Sequence, residues 1–370
     1  MTEVPSDKRQ VLQTTWSKIF AEIEQPEFKS AFDSEHQMYV NFFEQCAFDD
    51  FDLTLLRFLK ARKFNVNDAS SMLTNAIRWR HQVDLRGIML RGEKGLNQDF
   101  VKASMYFIWG QDRAGRPIVF LNLHNFIPPK DAQNMQELKA LILYAMENAR
   151  LFLDSEQNSL KGVLGLVDLT YFSRKNIDLE FAKVFAETFQ NYYPEILGQA
   201  LVVGSGFRMA LFEGVWSIGK YFLDAEVRKK ITFCKPYQVK DYLDDKYIPI
   251  SMQGQFNESK IYDNAPPEPA GVGSKEQFKT LDDKYVEAAK EFISVTREWL
   301  YAAGKPNEKD LEQKRKEVKS KCKQLWREGL SLRPPNIYQR LGLIDSKDSL
   351  TNERRMPPTS YSKFPRMYNL

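Results

Sequence analysis

Three histidines, His36, His81 and His124, are the side chains of this 370-residue chain best suited to proton transfer or metal ligation near neutral pH. None stands in an HExxH pair or another short metal-ligating spacing. No GxSxG elbow offers a nucleophilic serine. Gly204, Ser205 and Gly206 make only a fragment of a dinucleotide fingerprint. The segment GQDRAGR at 110–116 has no Lys-Ser/Thr pair to close a phosphate loop. Cys46, Cys234 and Cys322 are scattered without CxxC spacing, so they read as reduced thiols rather than a disulfide framework or a zinc site. The chemistry left is recognition by charge and by apolar surface. No catalytic residue, metal or cofactor is expected, and the protein is not expected to be an enzyme.

The charge balance narrows the partners. A net charge of +4 suits an anionic membrane surface without demanding one. The most basic stretch, EQKRKEVKSKCK at 312–323, has acids interspersed and reads as a solvated helix face, so no nucleic-acid partner is expected. No stretch approaches the roughly 18–20 uninterrupted apolar residues of a spanning helix. The first ten residues, MTEVPSDKRQ, lack the apolar core of a signal peptide. The expectation is a cytoplasmic protein with peripheral association to intracellular membranes. The 26 Phe, 16 Tyr and 6 Trp supply ample apolar wall for an internal cavity, or for an ordinary large core.

The elements that must position any site follow from periodicity. Val11, Trp16, Ile19, Phe20 and Ile23 recur at helical spacing. DLTLLRFLKARK at 52–63 forms an amphipathic helix with Leu55, Leu56 and Leu59 as its stripe. Asn67 or Asp68 is expected to cap a second helix that turns Ala69, Leu73, Ile77 and Trp79 inward. After residue 100 the pattern changes. MYFIWG and PIVFLNL read as strands about the polar turn QDRAGR. A helix over 134–154 precedes the apolar run GVLGLVDLTYF, and a helix over 178–193 precedes GQALVVGSG. Then come 207–222, a short basic turn and ITFCK. This alternation implies an α/β lobe with a mostly parallel sheet. Four segments result: a helical lobe at 1–95, an α/β domain at 100–256, a Pro/Gly-rich linker at 263–273 and a helical extension at 274–370. In the extension Leu311, Val318, Cys322 and Leu325 follow a heptad-like spacing, and the chain beyond about 345 is expected to be loosely ordered.

Five segments together resemble the CRAL-TRIO lipid-binding family, and within it the fungal phosphatidylinositol transfer proteins. They are LLRFLKARKFNVNDASSML…RWR at 55–80, DRAGRPIVF at 112–120, GLVDL at 165–169, NYYPEILGQALVVGSG at 191–206 and DAEVRKKITF at 224–233. The resemblance implies an α/β fold in which a helical lobe stands beside a sheet that floors an apolar lipid cavity. It also implies a gate helix over 207–222, carrying Phe207, Met209, Leu211, Phe212, Val215, Trp216, Ile218, Tyr221 and Phe222. That segment is apolar nearly all round, and Gly214 and Gly219 each lower its helicity by about 1 kcal/mol relative to Ala.

The family's headgroup residues match Arg62 and Lys63 in KARKF, Glu195 in YYPE and Lys230 in RKKIT, with Asp224 at the start of the basic turn. A phosphate needs paired N–H donors and inositol hydroxyls need acceptors, which guanidinium, ammonium and carboxylate groups supply. Asp224 either accepts from ligand or caps the helix that follows. Two departures stand out. Val227 occupies a position where phosphatidylinositol-binding members usually carry a hydroxyl. Val119 replaces a usual tyrosine, and Arg174 and Lys175 suit a choline pocket poorly, although Ser173 and Tyr106 remain as partners for a second ligand. The function implied is binding and intermembrane transfer of phospholipid, phosphatidylinositol first, by a monomer that meets membranes transiently. The alternatives are a lipid-sensing module acting on a protein partner such as a lipid kinase, or a carrier of another neutral hydrophobe.

Overall fold

Side chains that take up free backbone N–H groups set where the N-terminal helices begin. The computed structural model describes residues 6–153, 161–257, 261, 265–269 and 273–344. Helix α1 (Ser6–Ile23) leads to the single turn α2 (Pro26–Lys29) and to α3 (Glu35–Cys46), capped by Ser34. Asp50 caps α4 (Phe51–Ala61), and α5 (Val66–Gln82) precedes α6 (Leu85–Arg91). The cap of α5 is Asn65, not Asn67 or Asp68: its side chain accepts from the N–H groups of both, at 3.0 and 3.2 Å. Ala69, Leu73 and Ile77 are buried as the stripe predicts, but Trp79 is half-buried and Arg80 takes the inner position. The helix expected over 52–63 stops at Ala61, because Lys63 (φ 51°) and Phe64 (φ 63°) enter the left-handed region and end it.

The α/β elements follow: α7 (Gln98–Lys102), β1 (Tyr106–Gln111), β2 (Pro117–Asn122), α8 (Ala132–Leu151), β3 (Val163–Asp168), α9 (Leu179–Tyr192) and β4 (Leu197–Val203). Then come α10 (Gly206–Gly219), α11 (Ala225–Lys229) and β5 (Ile231–Cys234). The chain ends with α12 (Lys275–Tyr301), α13 (Glu308–Leu332) and the turn α14 (Ile337–Arg340). Two compact units divide at 90/91 and again at 269/270 and 334/335. Helices α12 and α13 fall with the N-terminal helices, and residues 335–344 fall with the sheet. Residues 263–264 and 270–272 of the expected linker, and the whole tail from 345, lie outside the described residues.

The helical unit has an aromatic core. Phe292 of α12 stacks on Phe51 at 4.0 Å and meets Trp16 edge-on at 5.3 Å, and Tyr285 stacks on Phe43 at 4.1 Å. Along α13 the buried stripe is Val318, Cys322, Trp326 and Leu330, while Leu311 and Leu325 are half-buried. A buried ion cluster crosses this core. Arg315 holds the Asp52 carboxylate through two N–H groups, one at 2.6 Å, and reaches the Thr296 hydroxyl at 2.9 Å. Lys319 and the Trp16 indole N–H bind the same carboxylate at 2.7 and 2.8 Å. Burial alone would push Asp52 upward, but the Arg315 and Lys319 charges overcome it and hold the carboxyl well below the usual range.

In the other unit β1 pairs antiparallel with β2, and β2, β3, β4 and β5 run parallel in that order. The DRAGR motif earns its place structurally. Asp112 accepts from the N–H groups of Ala114 (3.0 Å) and Arg116 (2.8 Å), and Arg116 reaches across to Gln199 on β4 at 2.6 Å. Gly115 takes φ 80°, which the turn needs and a side chain would resist. Asp168 of GLVDL is buried and binds the Thr170 N–H (2.7 Å) and the Ser251 hydroxyl (3.2 Å), so this motif aspartate fixes the loop after β3.

Asp52→Asn leaves Arg315 and Lys319 buried without their shared counter-charge, and should cost about 3–5 kcal/mol in denaturant unfolding at pH 7. The depressed carboxyl stabilises the fold fully above its unfolded pKa near ~4, and that stabilisation is lost as pH falls toward the folded value. The variant should therefore show a shallower acid-side fall than the wild type.

Candidate functional site

The two faces of the sheet differ. Register places Ile118, Phe120, Leu164, Leu166 and Leu201 on one face, all fully buried. Phe256 closes that side by packing on Phe107, Trp109 and Phe120. The opposite face carries Val119, Leu121, Val167, Ile231 and Phe233, which are half-buried, beside the small residues Gly165 and Ala200, while Tyr106, Ile108 and Val202 on the same face are buried. Helix α10 packs there, with Leu123 and Ile177 beside it. Its Met209, Leu211 and Phe212 meet a cluster of Leu169, Phe172 and Val202, and Trp216 meets Phe233 edge-on at 5.7 Å.

Helix α10 is the expected gate, continued by a 3-10 turn over Lys220–Phe222. None of its residues is buried. Phe207 and Tyr221 are each 75% exposed and Ile218 51%. The expected gate residues thus split. Met209, Leu211, Phe212, Val215, Trp216 and Phe222 are half-buried, and Phe207, Ile218 and Tyr221 face outward. Helix α9 has the same character. Its ring series Phe181, Phe185 and Phe189 stacks at 6.5 and 6.3 Å, yet Ala186 is its one buried residue. Apolar helices that bury so little are not core helices.

A polar end adjoins this apolar region. Lys230 closes α11, and its backbone carbonyl accepts from Ala200 of β4 at 2.8 Å. Its ammonium donates to the Leu197 carbonyl at 2.9 Å and lies 3.3 Å from the Glu195 carboxylate. Glu195 sits at φ 59°, a left-handed conformation that costs a non-glycine residue about 1 kcal/mol and aims its side chain. Asp224 opens the same short helix, but its side chain makes no capping bond, so the cap alternative fails. Val227 is half-buried inside that helix. Arg62 and Lys63 belong to the helical unit, where they form the turn that ends α4. The structure thus brings Glu195 and Lys230 together, with Asp224 at the other end of α11.

The second-ligand residues also separate. Val119 and Tyr106 share one sheet face, by their pairing with Ile108 and Leu121, with Val119 half-buried and Tyr106 buried. Ser173 instead donates to Asn176 in a capping box at 3.0 Å, and Arg174 and Lys175 are exposed. One further residue escaped the sequence reading. Gln190 on α9 donates to the Phe222 carbonyl at 2.9 Å and accepts from the Asp224 N–H at 2.5 Å. It pins the segment that joins α10 to α11.

Comparison with known proteins places this architecture. The CRAL/TRIO domain matches residues 102–254, and the CRAL/TRIO N-terminal domain matches 15–75. A CRAL-TRIO domain-containing protein of Schizosaccharomyces pombe is 72% identical over 94% of this chain and 98% of its own length. This chain belongs to the CRAL-TRIO family. A second such protein of Schizosaccharomyces pombe is 30% identical over 84% of this chain and 70% of its own length. A phosphatidylinositol transfer protein of Eremothecium gossypii is 30% identical over 55% of this chain and 47% of its own. The crystal structure of Sfh5 aligns over 71% of this chain and 97% of its own, with 16% identity and a TM-score of 0.47. CRAL-TRIO members bind and carry lipophilic ligands, which suits a sheet face lined by half-buried aliphatic residues. No helix among the described residues is long and apolar enough to cross a membrane.

Gln190→Leu removes both bonds on the 222–224 segment. Hydrogen exchange should rise several-fold at the amides of 220–224, with a global loss of about 1–3 kcal/mol or less. Unchanged exchange there would deny Gln190 its pinning role.

Proposed function

We propose that this protein binds one phospholipid at a time and exchanges it between membranes, with phosphatidylinositol as its first ligand. The acyl chains would lie along the half-buried sheet face beneath α10, against Val119, Val167, Ile231 and Phe233. The observation that carries this reading is α10 itself: an apolar helix with no buried residue, laid over an incompletely buried sheet face. Such a cover can leave without unmaking the core. Its outward Phe207, Ile218 and Tyr221 can enter the membrane interface as it opens.

The headgroup end is assigned to Lys230 and Glu195, with Asp224 beside the same helix. An ammonium carries three N–H donors, and Lys230 directs two of them at protein oxygens. The third would meet a phosphate or ring oxygen, while Glu195 would accept from inositol hydroxyls. Support for the inositol lipid comes from the relative named for its transfer. No chemical step on the lipid is invoked, and the family's carrier role fits this.

Native mass spectrometry of protein purified from a eukaryotic host, with lipid extraction, tests the assignment. Wild type should carry phosphatidylinositol, and Glu195→Ala with Lys230→Ala should lower its occupancy at least tenfold, given about 1.5–3 kcal/mol per charged hydrogen bond. A wild type that carries only neutral lipid would remove the polar site and leave the cavity. Val227→Thr supplies the hydroxyl that the family pattern expects and should raise retention of phosphatidylinositol about 3-fold or more.

A further inference from the structure

Two loops follow β2 and β3, and one buried side chain ties them together. Asn176 donates to the carbonyls of His124 (3.1 Å) and Phe126 (2.8 Å), and the His124 ring meets Tyr171 edge-on at 5.4 Å. This bracing leaves two large apolar side chains in the open, Ile127 at 57% and Tyr171 at 60% exposure. The basic side chains of the same loops, Lys130, Arg174 and Lys175, are all exposed. Two carboxylates of the same loops stay charged but are turned toward helix N-termini. Asp131 and Asp178 each cap the helix that follows, accepting from Asn134 and Phe181 at 2.9 Å. Three exposed cations against these two carboxylates leave the rim aromatic and net basic, and Asn176 holds it from below.

Its position ties it to the gate. The two loops leave the C-terminal ends of parallel strands, and β4 leaves the same end into Gly206 and α10. The Leu169 N–H donates to the Val203 carbonyl at 2.9 Å, just before that exit. Phe172, next to the exposed Tyr171, is buried against Phe212 of α10 at 5.6 Å. Phe207 is exposed at the start of α10, which leaves that same end of the sheet.

We propose that this rim is a docking surface for bilayers rich in anionic phospholipid. Tyr171 and Ile127 enter the headgroup region, and Lys130, Arg174 and Lys175 lie over the phosphates. Aromatic side chains with a polar tip favour that depth, and each basic residue near an anionic surface strengthens binding roughly fivefold. Docking there sets the N-terminal end of α10 at the membrane. The proposal rests on the reading that the chain carries phospholipid, and adds which membranes it chooses and by which residues.

The test is sedimentation of the full chain with vesicles of phosphatidylcholine alone or with added phosphatidylserine. Wild type should prefer the anionic vesicles and lose that preference as sodium chloride rises. Lys130→Gln with Arg174→Gln and Lys175→Gln should lower binding to anionic vesicles at least about tenfold and leave neutral vesicles unaffected. Ile127→Ser with Tyr171→Ser should lower binding to both. Both variants should keep their co-purified lipid, which shows an intact fold and pocket. Anionic binding unchanged in the triple variant overturns the proposal. So does a wild type without preference for anionic vesicles, which would point the basic side chains at an acidic protein instead. If no lipid co-purifies but the variants still lose vesicle binding, docking stands and the carrier reading falls.

Discussion

A sheet of parallel strands has two apolar faces to remove from water, and this protein seals one of them fully and the other only in part. Ile118, Phe120, Leu164, Leu166 and Leu201 are sealed, and Phe256 locks over them. Across the same strands Val119, Leu121, Val167, Ile231 and Phe233 stay half-buried. Apolar area left in contact with water costs about 25 cal/mol per Å². The fold therefore carries a standing demand for an apolar partner on that face. Helix α10 meets part of it and a lipid chain can meet the rest. Phe185 of α9 and the outward rings of α10 are further apolar surface left exposed.

Around this unfinished face the framework is over-determined. The DRAGR turn is locked by Asp112 and Arg116, the loop after β3 by Asp168, and the two strand-end loops by Asn176. The strained backbone at Glu195 is held against Lys230, whose own backbone joins β4. Gln190 holds the segment after the gate. At its other end the gate begins at Gly206, where φ is 57° and no neighbouring atom would crowd a side chain. Gly206 and Gln190 thus mark the two ends of α10. The helical unit achieves rigidity differently, by a buried carboxylate shared among Arg315, Lys319 and Trp16.

Much of this is legible in the sequence because it depends on local patterns. The runs PIVFLNL and GLVDL read as buried strands, and an apolar stretch punctuated by Gly214 and Gly219 reads as a weak cover. Pairings between distant residues are not legible that way. Glu195 and Lys230 meet because β4 and β5 are neighbours, and only the family pattern suggested it. Gln190 looks like any polar residue on a helix, and its role appears only when the 222–224 segment folds back onto α9. The cap of α5 went to Asn65 because the left-handed turn at Lys63 and Phe64 moved the helix start back two residues. Ser173, a candidate for ligand, was claimed by the local cap that builds the strand-end loop.

The most direct test of the central claim is where the acyl chain lies. Phosphatidylinositol with a diazirine on one acyl chain would be loaded by exchange from vesicles, irradiated and mapped by peptide mass spectrometry. The account predicts adducts on Val119, Val167, Ile231 or Phe233 and on the inner residues of α10 such as Phe212. Adducts confined to the outer rings of α9 and α10, with none on the sheet, would place the lipid on the surface and contradict a cavity beneath the gate.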